Sequence, residues 1–200
     1  MKIILATHNS NKCKELQKAF KSYKIKIYTL TDFPEIGEII EDGNSLEENA
    51  FIKSRTVFNL TKIPTISDDT GLYVDALNGN PGIFSARYAG ENCSYSDNVN
   101  KLLFNMKNVN NSLRTATFKT IVTYVSQDLE LVADGSVQGF ITRDKKGKKG
   151  FGYDPIFYVK EHKKTFAEMN INEKQKYSHR AIAISKLQSL FEEHNLLSNK

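Results

Sequence analysis

The residues from 63 to 87 constrain the fold of this chain most strongly, because extended apolar runs alternate there with turn-forming residues. A short β-branched run at 63–67 leads into Asp-Asp-Thr-Gly at 68–71, a second apolar run follows, and Asn-Gly-Asn-Pro-Gly occupies 78–82. This pattern predicts a strand, an acidic turn at 68–71, a second strand and a tight loop.

Two adjacent carboxylates end the first of these runs. Asp68 and Asp69 are difficult to explain as packing, because an unpaired buried charge costs several kcal/mol. A bound metal ion would compensate both charges. Asp is also a preferred turn residue, so a turn that faces water explains the pair equally well. The spacing leaves both interpretations open.

Length and composition predict one globular domain that spans residues 1–200, of which 40% are hydrophobic. No apolar run approaches the roughly 18 residues of a membrane span. Residues 1–6 are too short an apolar stretch for a secretory signal, so we expect a cytoplasmic location. Cys13 and Cys93 lack metal-ligand spacing and are expected to be free thiols without function.

The net charge of +5 and the pI near 9.0 raise nucleic acid as a partner. The charge is uneven: residues 1–100 carry 11 basic and 13 acidic side chains, and residues 101–200 carry 17 and 10. This asymmetry suits a protein that binds a metal and a phosphorylated ligand, and solvated lysines explain it as well. A nucleic-acid-binding module is therefore one hypothesis for the function, although the chain has no contiguous basic stripe.

The start of the chain predicts a strand at 2–6, a polar loop and a helix. The helix carries apolar residues at helical spacing, and Ser10 or Asn11 can cap it. Free backbone N–H groups and the positive helix end make the loop at 7–12 a natural place for a phosphate. An ordinary capped connection is equally compatible, and the G-x-x-x-x-G-K-[ST] pattern of a P-loop is absent.

A second strand is predicted at 24–30, and a second helix at 46–60. Ser45 and Glu48 have the spacing of a capping box, which marks the start of this helix. Lys53 follows Asn49 by one helical turn, so the two side chains share a face. A lone lysine at such a position is expected to be solvated.

The second half predicts a helix capped by Ser96, a strand at 114–127 and a strand pair within 129–142 that turns at Asp134-Gly135. Consecutive strands without helices between them indicate a mixed sheet, and the whole pattern is typical of an α/β domain. The basic loop at 144–149 is expected to be solvated.

Two further stretches combine residue types that suit a nucleotide. Residues 150–155, Gly-Phe-Gly-Tyr-Asp-Pro, join glycines that permit close approach of the backbone to aromatic rings that can stack on a base. Ser178 can cap a last helix, which places His179 and Arg180 in its first turn. Cations there oppose the helix dipole, so their position is easier to explain if an anion binds.

Taken together, six motifs resemble those of the inosine triphosphate pyrophosphatases, also called non-standard purine nucleoside triphosphate or dITP/XTP pyrophosphatases. The motifs are Thr7-x-Asn9-x-x-Lys12, Glu48-Asn49-Ala50-x-x-Lys53, Ser67-Asp68-Asp69-Thr70-Gly71-Leu72, Pro81-Gly82-Ile83-Phe84-Ser85-Ala86-Arg87-Tyr88, Gly150-Phe151-Gly152-Tyr153-Asp154-Pro155, and Glu173-Lys174 with Ser178-His179-Arg180. They run in the family's order and cover nearly the whole chain.

The resemblance implies an elongated α/β fold with a mixed sheet flanked by helices and two lobes around a nucleotide-binding cleft. It further implies a homodimer that uses Mg²⁺ to hydrolyse ITP, dITP and XTP to the monophosphate and pyrophosphate. Stable binding of nucleic acid and membrane association are not expected. A related pyrophosphatase that acts on modified pyrimidines is the third hypothesis.

The resemblance also assigns roles to individual residues. Asp69 would activate water and bind the metal, with Glu41 and Asp68 as further metal partners, and Lys53 would assist catalysis. The triphosphate would bind Thr7, His8, Asn9, Ser10, Asn11, Lys12 and Lys53, with Thr70 beside it. The base would bind Phe151, Gly152, Tyr153, Asp154, Lys174, His179 and Arg180. His8 stands where many members of the family carry glycine.

Overall fold

The apolar, β-branched start of the chain forms strand β1 (Lys2–Leu5), which is buried along most of its length. Helix α1 (Ser10–Ala19) follows and turns Cys13 and Leu16 into the core. Strand β2 (Lys26–Thr29) then pairs in parallel with β1, with Lys2 opposite Lys26. The computed structural model describes residues 1–197 of the chain.

The remaining elements mix helices and strands, and four strands in succession lie between two of the helices. They are helix α2 (Leu46–Thr61), strand β3 (Thr65–Val74), strand β4 (Pro81–Gly82), helix α3 (Tyr95–Asn105), strands β5 (Thr115–Val125), β6 (Glu130–Ile141), β7 (Phe157–Val159) and β8 (Lys164–Thr165), and helices α4 (Ile171–Tyr177) and α5 (His179–Glu193). Short 3₁₀ turns connect several of them.

The chain divides into two compact units built from discontinuous segments. The first unit comprises Met1–Asp69, Thr120–Gly135 and Arg180–Lys200, and the second comprises Thr70–Lys119 and Ser136–His179. Strands β3, β5 and β6 have residues in both units. The sequence-based expectation of one domain over residues 1–200, with two lobes around a cleft, stays a prediction.

In the first unit the strands follow the order β2-β1-β3-β5-β6, and β1 lies parallel to both of its neighbours. Helices α1 and α5 pack on this sheet through a buried apolar cluster that includes Leu16, Phe20, Leu187 and Phe191. A smaller cluster around Ile4 and Val57 joins α2 to the sheet. Burial of such aliphatic and aromatic side chains is the main driving force for folding this unit.

In the second unit the strands follow the order β3-β5-β6-β7-β8, and β4 pairs antiparallel with β3. Strands β6, β7 and β8 are also antiparallel. One buried cluster, centred on Phe118, Phe157 and Phe166, fills this unit and contacts α3 through Leu102. The combination of parallel and antiparallel pairs confirms the predicted mixed sheet flanked by helices.

Several local predictions were wrong for physical reasons. β3 continues without a turn through Asp68 and Asp69, and β6 continues through Asp134-Gly135. Turn-forming residues stay extended there because the ladder hydrogen bonds and long-range partners outweigh local preference. The N-caps of α1 and α3 are Asn9 and Ser94, because their side chains accept the free N–H groups of the first helical turn.

Helix α4 is a further element that the sequence pattern did not predict. Asn170 caps it, and Glu173 completes a capping box with that residue. Within residues 1–197, every helix is too short or too polar to cross a lipid bilayer.

Candidate active site

Asp68 lies on β3 with no exposed surface and contacts two cationic side chains. Its Oδ2 accepts hydrogen bonds from Nε and Nη2 of Arg180 at 3.1 and 3.0 Å, and Nζ of Lys12 lies 3.1 Å from it. Nη1 of Arg180 donates to Oε2 of Glu15 at 2.6 Å. We call Lys12, Glu15, Asp68 and Arg180 the Arg180 cluster. It joins α1, β3 and the start of α5 in the first unit, and its formal charges balance.

The Arg180 cluster fixes the protonation of its members. Burial raises the pKa of Asp68, but the positive charges of Lys12, Arg180 and Lys53 outweigh it, so the pKa lies well below the ordinary value. Burial lowers the pKa of Arg180, but Asp68 and Glu15 more than compensate, and the net direction is upward. For Lys12 burial dominates and lowers the pKa. Asp68 is therefore a permanent carboxylate near neutral pH.

The next residue along β3, Asp69, contacts a different lysine. Nζ of Lys53 lies 3.5 Å from Oδ1 of Asp69 and donates to Oε2 of Glu41 at 2.6 Å. Burial raises the pKa of Asp69, and the nearby Lys53 and Lys12 reduce that rise without cancelling it. Burial lowers the pKa of Lys53, but Asp69 and Glu41 outweigh it, so its net pKa is raised. Asp69 is thus a stronger proton acceptor than an ordinary aspartate.

Lys53 was expected to be solvated and is 6% exposed. The physical reason is that two carboxylates compensate its charge, which local sequence does not reveal. Asn49, one turn earlier on the same face of α2, is buried as well, and its Oδ1 accepts a hydrogen bond from the N–H of Gly43 at 2.9 Å. Oε2 of Glu48 accepts from the N–H of Asn44 at 2.7 Å. The first turns of α2 therefore hold the segment that carries Glu41.

The loop at 7–12 places its side chains around the start of α1. Oδ1 of Asn9 accepts from the N–H groups of Asn11 and Lys12 at 3.0 and 3.3 Å, and the N–H of Asn9 donates to Oγ1 of Thr7 at 3.2 Å. The His8 side chain is exposed, and its Nε2 lies 2.9 Å from the carbonyl oxygen of Gly37. The loop thus accommodates histidine at this position. Ser10 is the first residue of α1 and is exposed.

The stretch at 150–155 belongs to the second unit, and its Asp154 forms a buried ion pair with Lys174 of α4. Nζ of Lys174 lies 2.6 Å from Oδ2 of Asp154, and both side chains are almost fully buried. The same oxygen accepts from the N–H of Phe151 at 2.9 Å. Nζ of Lys174 also lies 4.7 Å from the centre of the Phe151 ring, a cation–π distance. Gly150 has a φ of 73°, and an added Cβ there would overlap with the Asp154 carboxylate.

The other predicted base-binding residues of the second unit are packed in different ways. Tyr153 is 4% exposed, and its hydroxyl donates to the carbonyl oxygen of Ser85 at 3.0 Å. The His179 ring stacks on Phe118 with ring centres 4.4 Å apart. Gly152 adopts a positive φ with open space around it. Thr70, which the resemblance places beside the triphosphate, is half-buried on β3 directly after Asp69.

A magnesium ion is the metal that the resemblance implies, and the donor set of the first unit fits it. Asp69 and Glu41 present carboxylate oxygens to one shared ammonium group, that of Lys53. Mg²⁺ prefers oxygen ligands and typically takes one or two carboxylates together with substrate phosphates. Asp68, the other predicted metal partner, contacts Arg180 and Lys12 within the Arg180 cluster. Within residues 1–197, no three His, Cys, Asp or Glu side chains form a group that is able to hold a metal ion.

Sequence reasoning missed Glu15 and the contact that Asn49 makes. Glu15 contacts Arg180, and the only sequence signal for it is its position three residues after Lys12 on the same face of α1. Asn49 lies in a recognised motif, yet its contact with Gly43 has no local signature. The roles that the resemblance assigned to individual residues stay predictions.

The fold is that of an α/β protein, and its buried clusters bring carboxylates and lysines together on one strand and two helices. These residue types are typical of sites that bind phosphate groups and catalyse their hydrolysis. Comparison with known proteins gives the family. The model of the Ham1 family matches residues 3–190. The chain belongs to this family.

Individual relatives agree with this assignment. The dITP/XTP pyrophosphatase of Thermoanaerobacter pseudethanolicus is 46% identical over 189 residues, which cover 94% of this chain and 96% of that protein. The Ham1 protein of Staphylococcus aureus superposes with a TM-score of 0.87 and 37% identity, over 97% of this chain and 100% of the other. A HAM1 protein of Coxiella burnetii gives 0.88 and 38%, over 96% and 99%. The predicted family resemblance is confirmed.

Proposed function

We propose that this protein hydrolyses non-standard purine nucleoside triphosphates, namely ITP, dITP and XTP, to the nucleoside monophosphate and pyrophosphate. This activity removes damaged purine nucleotides from the precursors of DNA and RNA. Relatives that are 46% and 45% identical over nearly the whole chain carry the name dITP/XTP pyrophosphatase, which supports the substrate class.

The observation that carries the proposal is the contact of Lys53 with both Asp69 and Glu41. Hydrolysis at the α-phosphorus needs a base that accepts a proton from water and a cation that stabilises charge on the phosphoryl oxygens. Asp69, whose pKa burial raises, suits the first task. Lys53, which is buried and held in place by carboxylates, suits the second.

We assign the following steps to the chain's own residues. Lys12 and Lys53 bind phosphoryl oxygens and neutralise the negative charge that develops on them. Asp69 orients the attacking water and accepts its proton, a role worth roughly 10² to 10⁴ in rate. Pyrophosphate leaves as the water oxygen bonds to the α-phosphorus, and the proton that Asp69 holds returns to solvent.

We further propose that Asp69 and Glu41 hold Mg²⁺. When bound, the ion would supply Lewis-acid charge neutralisation on the phosphoryl oxygens. Removal of Mg²⁺ with EDTA is expected to abolish turnover, and Glu41→Gln is expected to raise the Mg²⁺ concentration that gives half-maximal rate. A variant that keeps the wild-type Mg²⁺ requirement would remove Glu41 from the ligand set.

The base-recognition residues of the second unit are part of the same proposal. The Lys174–Asp154 pair is buried, hydrogen-bonded to the backbone and adjacent to the Phe151 ring, which gives a charged group and an aromatic face at fixed positions. A donor aimed at the 6-oxo group of hypoxanthine or xanthine is left unpaired by the amino group of adenine. Such unpaired buried groups discriminate by roughly 10⁴ or more.

The test is a panel of triphosphates that includes ITP, dITP, XTP, ATP, GTP and a modified pyrimidine triphosphate, each with Mg²⁺. We expect pyrophosphate from ITP, dITP and XTP at rates far above that for ATP. Release of orthophosphate, or equal turnover of ATP, would contradict the proposal. Preference for the pyrimidine would favour the alternative pyrophosphatase.

A homodimer and a cytoplasmic location are also proposed, on the family resemblance. Size-exclusion chromatography with light scattering tests the first, and fractionation of cells tests the second. We expect no binding to DNA or RNA. Low salt is the stringent condition for this test, because an interaction dominated by phosphate contacts would be strongest there.

A further inference from the structure

Three buried hydroxyl groups of the first unit meet at one backbone carbonyl of α2. Oγ of Ser67, Oγ of Ser54 and Oγ1 of Thr123 lie 2.5, 3.1 and 3.2 Å from the carbonyl oxygen of Ala50, all within hydrogen-bond distance. Oγ1 of Thr123 also lies 2.9 Å from Oγ of Ser54 and 3.2 Å from Oγ of Ser67. We call Ser54, Ser67 and Thr123 the hydroxyl cluster. It joins α2 to β3 and β5.

The hydroxyl cluster lies directly beside the contact between Lys53 and Asp69. Ser67 and Asp69 are two residues apart on β3, so they face the same side of the strand. Ala50 and Lys53 are three residues apart on α2, so they share a face of the helix. One face of the strand therefore meets one face of the helix through two neighbouring contacts. A shift of α2 along β3 would break the Ser67–Ala50 bond and lengthen the Lys53–Asp69 contact.

Burial alone does not account for the hydroxyl groups. Ser54, Ser67 and Thr123 have no exposed surface, and apolar side chains of similar size would fill the same space. Hydrogen bonds differ from apolar contacts because they are directional, and a fully satisfied buried network specifies one arrangement of the elements that it joins. The hydroxyl cluster therefore selects one register of α2 on β3.

We infer that Ser67 and Thr123 are positioning residues for the hydrolysis, because their hydroxyl groups set the distance between Lys53 and Asp69. The effect on turnover rests on the proposed function, whereas the effect on the Lys53–Asp69 contact does not. Both residues act through the backbone of α2. Small errors in the placement of catalytic groups lower the rate strongly without a matching loss of substrate affinity.

The experiment compares two substitutions at one position. Thr123→Val removes the hydroxyl group and keeps the shape of the side chain, and Thr123→Ser keeps the hydroxyl group. Thr61→Val is the matched control, since the Thr61 hydroxyl donates to the Val57 carbonyl at 2.8 Å and accepts from the N–H of Ile63 at 3.2 Å, both at the far end of α2 from Ala50. Crystal structures of the wild type and the three variants give the distance from Nζ of Lys53 to Oδ1 of Asp69, and kinetics with ITP give kcat and KM.

In Thr123→Val we expect the Lys53–Asp69 distance to exceed that in the wild type and kcat to fall by about tenfold with KM nearly unchanged. Thr123→Ser and Thr61→Val should keep both the distance and kcat. If Thr123→Val does not fold, Ser67→Ala takes its place with the same expectations.

An unchanged Lys53–Asp69 distance in Thr123→Val would overturn the inference. A loss of stability equal to that of Thr61→Val, with wild-type kcat, would do so as well, because it shows a purely structural role. If the wild-type protein releases no pyrophosphate from any triphosphate, the proposed function fails, and the crystallographic distances still decide the positioning inference.

Discussion

Asp68 and Asp69 are consecutive on β3, yet each contacts a different set of cations. Asp68 accepts hydrogen bonds from Arg180 and contacts Lys12, whereas Asp69 contacts Lys53. Neighbouring side chains of a strand point to opposite faces, so the continuous strand separates the two carboxylates. The electrostatic result is opposite for the two: the pKa of Asp68 is lowered by its cations, and the pKa of Asp69 is raised by burial. One acid is fixed as a charge, and its neighbour is prepared to accept a proton.

Asp69→Asn tests the role of the second acid. The amide cannot accept a proton from water, so we expect kcat for ITP to fall by about 10² to 10⁴. Binding of ITP, measured by calorimetry, should be retained. The melting temperature should change little, because burial already disfavours the charge of Asp69 and Lys53 keeps its ion pair with Glu41. The control is Asp75→Asn, at an exposed carboxylate bonded to Thr115, which should keep wild-type kcat. An active Asp69→Asn enzyme would refute the assignment.

Because of Asp68, the free energy of unfolding should fall as the pH is lowered. Its folded-state pKa lies below the value in the unfolded chain, so the unfolded chain binds more protons as the pH falls. The stabilisation is complete above the unfolded pKa of about 4 and is lost as the pH falls through the folded value. Removing one partner of a buried ion pair costs about 3 to 5 kcal/mol, so Asp68→Asn should lower the free energy of unfolding by this amount near neutral pH.

Urea denaturation in EDTA, from about pH 7 to about pH 3, measures this difference. The gap in unfolding free energy between the wild type and Asp68→Asn should narrow below about pH 4. Asp134→Asn removes an acid from an exposed pair with Lys186, so its stability should match that of the wild type throughout. A gap for Asp68→Asn that stays constant with pH would contradict the lowered pKa.

These contacts also show how far the sequence predicts the structure. The motifs were sufficient for the family and for the mixed α/β fold, and the helical periodicity located α1, α2, α3 and α5. The acidic pair was recognised as unusual, but a turn was predicted for it. Arg180, which keeps Asp68 in an extended strand, lies 112 positions away along the chain. Local preference carries no information about such a partner.

The same limitation explains Lys53. A lysine on a helix is solvated unless carboxylates compensate it, and its two partners come from a loop before α2 and a strand after it. The resemblance selected Lys53 as functional where composition and spacing did not. It assigned no role to Glu15 or to the hydroxyl cluster, although Ser67 lies in one of the motifs. Glu15 contacts Arg180, and the hydroxyl cluster contacts the backbone of α2.

Arg180→Lys tests the geometry of the Arg180 cluster. Arginine donates to Asp68 through two nitrogens and to Glu15 through a third, and lysine cannot reproduce this planar arrangement. Loss of hydrogen bonds to buried charged groups costs about 1.5 to 3 kcal/mol each, so we expect a destabilisation of at least that size by urea denaturation.

The matched control for this substitution is Arg55→Lys. Arg55 also forms a two-nitrogen contact with a carboxylate, that of Glu130, but both side chains are about half exposed. Exposed ion pairs contribute about 1 kcal/mol or less, so the control should change stability little. Equal losses in the two variants would show that burial of the Arg180 cluster adds nothing.

Gly150→Ala tests the contact between the glycine-rich stretch and the Lys174–Asp154 pair. A Cβ at this position would overlap with Oδ2 of Asp154 and displace it from Lys174 and from the N–H of Phe151. Gly152→Ala is the control, since Gly152 has a similar positive φ of 61° with nothing near an added Cβ. Alanine in the left-handed region costs roughly 1 to 2 kcal/mol in both variants. Displacement of the buried carboxylate should add about 2 kcal/mol or more in Gly150→Ala alone. The comparison of unfolding free energies isolates the close approach from the backbone strain, and equal losses would place Asp154 away from Gly150.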